Sequence, residues 1–141
     1  MNHPKFRVWD KAMDMMFDLV LIRYDWRDEI SQLIISDRKS SRLLGSSHAM
    51  SVEYSNIDFS RFKLEQYTGL KDKNGVDAYE GDILSTTVLT KGLVVFRNGC
   101  FGLKSHDNVF FNFDQLRMYR RKFEVIGNIH ENPKPLKEKK N

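Results

Sequence analysis

The chain has 141 residues, 40% of them hydrophobic, so it is long enough to bury a core without disulfides or a structural metal and is not composed like a disordered chain. Its longest apolar run, residues 19–22, falls far short of the roughly 20 residues a spanning helix requires. The net charge of +4 sits wholly in the second half: residues 1–70 balance ten bases with ten acids, and residues 134–140 alone contribute +3, leaving the folded body near neutral.

Three alanines against 38 Val, Ile, Thr, Phe, Tyr and Trp tilt the chain toward β structure. Residues 6–9 alternate as a short strand, and Asp10 with Lys11 reads as a turn. Over residues 12–24 two periods compete. Met13, Met16, Phe17 and Val20 lie at helical spacing, whereas Phe17, Leu19 and Leu21 alternate. A strand that turns at residues 24–28 and returns over 30–35 is the preferred reading; a helix, giving an α+β lobe, is the alternative. Ser40, Ser41, Gly45, Ser46 and Ser47 mark residues 38–50 as a flexible loop. Residues 1–61 are thus expected to form an N-terminal, hairpin-containing β lobe.

Residues 62–133 form the second expected domain. Asn74-Gly75 and Asn98-Gly99 are tight-turn dipeptides, since both residue types tolerate positive φ. Gly81 supplies a kink before the strand at residues 82–88. Residues 93–97 and 100–104 flank the second Asn-Gly as hairpin arms, and residues 109–113 and 123–129 predict two more strands. Short strands joined by tight turns predict a small closed barrel, because closure removes exposed edges. Six of the ten phenylalanines fall between residues 96 and 123 and are expected to fill its core. Residues 134–141, Lys-rich and flanked by Pro133 and Pro135, read as a disordered basic tail.

Three blocks carry a family resemblance. Lys5-Phe6-Arg7-Val8-Trp9-Asp10 is similar to the pattern KFRAWD. Residues 66–75, followed by Tyr79-Glu80-Gly81-Asp82-Ile83, resemble QYTGLKDKNGKEIYEGDI, and residues 124–133 resemble EVIGNIYENP. The blocks occur in order from one end of the chain to the other and resemble the YopX family of phage and prophage proteins. The resemblance implies an SH3-like β-barrel in the C-terminal part and a phage or prophage gene expressed in a bacterial host. It brings no activity and no catalytic or binding residues.

The candidate chemistry is sparse. His3, His48, His106 and His130 are scattered, with no ligand spacing to one another or to Cys100, so no metal site and no cofactor are expected. Cys100 reads as a small buried hydrophobe, and lone cysteine usage with no apolar leader near Met1 points to a reducing cytoplasm. Asp72, Glu80 and Asp82 resemble a carboxylate group for acid–base or Mg²⁺ work, but their glycine-rich setting reads as turn chemistry. The chain is therefore expected not to be an enzyme. Arg117, Arg120, Arg121 and Lys122, with Tyr119 among them, form a candidate nucleic-acid-binding cluster that pairs phosphate donors with a stacking face; a solvated surface is the plainer alternative. Trp9, Trp26 and Tyr67 are available for protein contacts, with core filling the plainer reading of Trp9. The expected partner is an unidentified macromolecule, protein before nucleic acid, with homo-oligomerisation also open and no membrane association.

Overall fold

The computed structural model describes residues 5–37 and 51–131. The expected loop at 38–50, the tail at 134–141, His3 and His48 lie outside the described residues. The chain divides into two compact units, Met1–Glu65 and Gln66–Asn141.

The first unit is an antiparallel meander: β1 (Phe6–Asp10), β2 (Met15–Tyr24), β3 (Ile30–Asp37) and β4 (Ser51–Ser55), followed by a single 3-10 turn at Phe59–Arg61 and the start of β5 (Phe62–Lys71). Its sheet order is β4-β3-β2-β1-β5. The strand period wins over residues 15–24 because β2 is paired along both edges. Val8 faces Phe17 on one side, and Ile22 faces Leu33 on the other. The register of β2 shifts between Leu19 and Leu21, and Val20, the residue between, is exposed, which accounts for the mixed periodicity of this stretch. Val8, Phe17, Leu33, Ile35 and Phe62 make the core of the unit. Asp10 shapes the first turn, its Oδ1 accepting hydrogen bonds from the Ala12 and Met13 amides at 2.9 and 3.3 Å.

In the second unit the remainder of β5 pairs with β6 (Asp77–Tyr79), placing Tyr67 opposite Tyr79 and Lys71 opposite Asp77. Then come β7 (Asp82–Thr86), β8 (Gly92–Arg97), β9 (Cys100–Lys104), β10 (Phe110–Asn112), a one-turn helix α1 (Phe113–Leu116) and β11 (Phe123–Asn128). Both Asn-Gly dipeptides lie in turns, with both residues at positive φ in the second and only the glycine in the first. Asn98 and Gly99 stand at φ 54° and 80° between β8 and β9, and Gly75 stands at φ 81°.

Two expectations are corrected here. The strands of the second sheet run β10-β9-β8-β7-β11 with β10 and β11 at its ends, so among the described residues they do not close into a barrel. The strand expected over 109–113 stops at Asn112, where a capping box takes over. The Asn112 side chain accepts from the Gln115 amide at 2.7 Å while the Gln115 side chain accepts from the Asn112 amide at 2.8 Å, and this starts α1 at Phe113.

The core differs from its expected composition as well. Ala78, Leu84, Val94, Leu103, Leu116, Met118 and Phe123 fill it, so of the six clustered phenylalanines only Phe123 is fully buried. Phe101 and Phe113 pack against its margin, stacked on each other at 6.0 Å, and Phe96 meets Phe101 edge-on at 5.0 Å while remaining half exposed. Phe110 lies over Gly102 with Arg97 above its ring at 5.0 Å. Phe96 and Phe111 are the two of the six that lie exposed on the surface.

Candidate functional site

The motif residues serve architecture. In the first block, Arg7 Nε donates to Glu65 Oε1 at 2.9 Å with both side chains buried, and Arg61 donates to both oxygens of the fully buried Asp10 at 3.1 and 2.7 Å. In the second block, the buried Asp72 carboxylate accepts from the backbone amides of Asn74, Val76 and Val125 at 2.8, 2.9 and 3.0 Å, binding its own turn to β11. Burial pushes the Asp72 carboxyl up, but the Val125, Val76 and Asn74 amides, with Lys73 nearby, outweigh it and hold the group below its ordinary value. Asp82 Oδ2 accepts from the Tyr79 amide at 2.7 Å, and Glu80 Oε1 from the Gln66 amide at 3.4 Å. These carboxylates are aimed at backbone N–H groups.

Cys100 is half-buried, and its thiol donates to the Arg97 carbonyl at 3.3 Å. His106 is exposed beside Asp107, and the His130 amide donates to Asn128 Oδ1. Among the described residues no group of His, Cys, Asp and Glu side chains gathers in a way that could hold a metal ion, and no helix is long and apolar enough to cross a membrane.

The basic cluster is only partly a unit. Arg117 caps α1 in the left-handed region at φ 52° and is exposed. Arg120 lies 5.6 Å from the ring centre of Tyr119, itself 64% exposed. Arg121 is anchored instead: Nε donates to the Leu116 carbonyl at 2.9 Å and Nη1 to Thr87 Oγ1 at 2.6 Å. Lys122 lines an open pocket of about 290 Å³ with Lys73, Ser85, Thr86, Thr87, Phe123 and Glu124. Four of these residues, Lys73, Ser85, Thr86 and Thr87, lie far from the cluster in sequence, and no spacing pattern announced them. They meet because β7 pairs with β11, setting Ser85 opposite Glu124 and Thr86 opposite Phe123, while the Lys73 amide donates to the Phe123 carbonyl at 3.0 Å.

The aromatic candidates separate cleanly. Trp9 is buried. Tyr67 is half-buried against Tyr79, ring centres 5.5 Å apart. Trp26, at the tip between β2 and β3, is 90% exposed, and Tyr24 beside it is also exposed. The tip is well tied. Asp25 Oδ1 accepts from the Arg27 and Glu29 amides at 2.8 and 3.2 Å, and the Asp25 amide donates to the Glu29 carbonyl at 2.8 Å. The Arg27 amide foremost, helped by the Glu29 amide and the Arg27 guanidinium, outweighs desolvation and holds the Asp25 carboxyl below its ordinary value. The Arg27 guanidinium lies 5.6 Å from the Trp26 ring centre.

Two antiparallel sheets, with Arg7, Asp10, Asp72 and Asp82 of the motif blocks engaged in turns and interior pairs, define a mainly β protein. The family model described as YopX protein matches residues 5–137, and the chain belongs to the YopX family. Among solved structures it is similar to protein EF1440 from Enterococcus faecalis, at 29% identity and a TM-score of 0.64, covering 97% of this chain and all of that one. It also shares its fold with protein yopX from Bacillus subtilis, at 18% identity and a TM-score of 0.54, covering 99% of this chain and all of that one. Comparison with curated proteins returns no match.

Proposed function

We propose that the chain is a non-enzymatic accessory protein of phage or prophage origin, working in the bacterial cytoplasm by binding another protein, with its second unit a variant of an SH3-like module. The observation that carries this reading is Trp26, 90% exposed on a hairpin tip braced by Asp25 and flanked by Tyr24 and Arg27. Exposing an indole in water is unfavourable, and Trp, Tyr and Arg are the side chains that dominate interface energies. A braced tip also loses little conformational freedom on binding. The test is cross-linking and affinity capture from lysogenic or infected cells with the wild-type chain and Trp26→Ala. A partner bound by the first and lost by the second, at equal thermal stability, is expected. A partner set indifferent to Trp26, Tyr24 and Arg27 substitutions refutes the assignment.

A second reading, nucleic-acid binding through Arg117, Tyr119, Arg120, Arg121 and Lys122, is favoured by the exposed Tyr119–Arg120 stack and by the basic pocket at Lys122. It requires affinity that falls steeply with salt, as counterion release dictates. Affinity unchanged by reversing the charges of Arg117 and Arg120 excludes it.

A further inference from the structure

We infer that the pocket between β7, β11 and the turn at residues 72–76 binds a phosphate group, in an oxyanion site built by Lys73, Lys122 and Ser85 with Arg121 at its rim. The inference refines the nucleic-acid reading but does not require it, since a phosphate free in solution carries the same chemistry as one in a strand.

Three observations converge. The first is charge. Lys73 and Lys122 line the pocket, and Arg121 is drawn to its edge by the 2.6 Å bond to Thr87 Oγ1. Glu124 is the one carboxylate among the lining residues, so the balance is positive. The second is open donor capacity. Lys122 and the Ser85 hydroxyl make no hydrogen bond or ion pair among the described residues, and both line the same concavity. Thr86 and Thr87 are already engaged, Thr86 with Leu89 and Thr87 with Arg121, so they shape the wall. The third is a built-in competitor. Lys73 Nζ lies 3.3 Å from Glu124 Oε2, with both side chains about half exposed. Such a pair contributes little stability, so a dianionic ligand can displace Glu124 from Lys73 at small cost. The wall that carries Lys73 is rigid, because Asp72 ties the turn to β11 through the Val125 amide and the Lys73 amide bonds the Phe123 carbonyl.

The test is a titration of the nitrogen-15-labelled full chain with inorganic phosphate at constant ionic strength, chloride serving as the balancing ion. Saturable shifts are expected at the amides of Lys73, Ser85, Lys122 and Glu124. Lys73→Gln and Lys122→Gln should each weaken binding about tenfold through loss of a charge-assisted contact. Glu124→Gln should tighten it several-fold, an effect that a purely structural role for Glu124 does not produce. Arg117→Gln should leave it unchanged. Melting curves check that each variant is folded, and all four side chains are solvent-accessible. Non-saturating shifts, indifference to both lysine substitutions, or weaker binding by Glu124→Gln overturns the proposal. A second arm uses oligothymidylate. If a strand supplies the phosphate, oligothymidylate shows the same lysine dependence and is displaced by phosphate. Oligothymidylate held through Arg117 and Arg120, and indifferent to Lys73→Gln and to competing phosphate, overturns the pocket and leaves the nucleic-acid reading standing. Phosphate bound with no affinity for oligothymidylate does the reverse.

Discussion

Asp72 is the most informative single side chain to perturb. Its Oδ1 accepts two amides of its own turn, those of Asn74 and Val76, and its Oδ2 accepts the Val125 amide 53 residues away. In Asp72→Asn one oxygen is retained and the other becomes an NH2 group. Whichever way the amide is turned, a donor then faces a backbone donor, and the charge that strengthened the remaining bond is gone. Hydrogen bonds to charged groups contribute about 1.5–3 kcal/mol each, so a loss of about that size is expected for Asp72→Asn. In Asp72→Ala all three amides lose their acceptor. Asn74 and Val76 are exposed residues whose bonds to Asp72 are only partly buried, so water can replace part of what is lost and the loss should rise only to about 3–4 kcal/mol. Urea denaturation with an unchanged slope and a shifted midpoint reads both values. The acid dependence gives a second check. The folded carboxyl lies below its ordinary value of 3.8, so its stabilisation is complete above that value and drains away as pH falls through the depressed one. The gap between wild type and Asp72→Asn should therefore be constant from pH 5 to 7 and narrow toward pH 2. A gap under about 0.5 kcal/mol at neutral pH, or one that widens in acid, would refute the reasoning and reopen the case for Asp72 as a chemical group.

Gly102→Ala should destabilise by about 1–3 kcal/mol through overpacking. An added Cβ would meet the Phe110 ring and lie 2.6 Å from the Phe111 carbonyl oxygen, and the ring can turn aside but the backbone oxygen cannot. A melting temperature within error of wild type would show that β10 is loosely held. For the buried Arg7–Glu65 pair, Glu65→Ala should lose about 3–5 kcal/mol because it removes the buried carboxylate to which Arg7 Nε donates, whereas Arg7→Met with Glu65→Leu should recover most of that loss. Additive single and double losses in denaturant titrations would contradict the coupling.

What the amino-acid order determined by itself is local. The Asn98-Gly99 and Asn74-Gly75 turns, the kink before β7 and the strands they bound follow from φ preferences and side-chain alternation within a few residues. The family is legible in the same way, since its blocks are continuous stretches. Tertiary structure alone decided which aromatics were interior. Phe96 and Phe111 read as core by composition, yet both are exposed. Trp9 and Trp26 are the same residue type in similar polar company, yet one is buried on β1 and the other projects from a hairpin tip. The basic cluster likewise read as one patch, but Arg121 is drawn to Leu116 and Thr87 while Lys122 joins Lys73, 49 positions earlier in the chain. Torsional preference is a property of neighbours along the chain. Burial and charge pairing are properties of neighbours in space, and those are assigned only when strands such as β7 and β11 find their register.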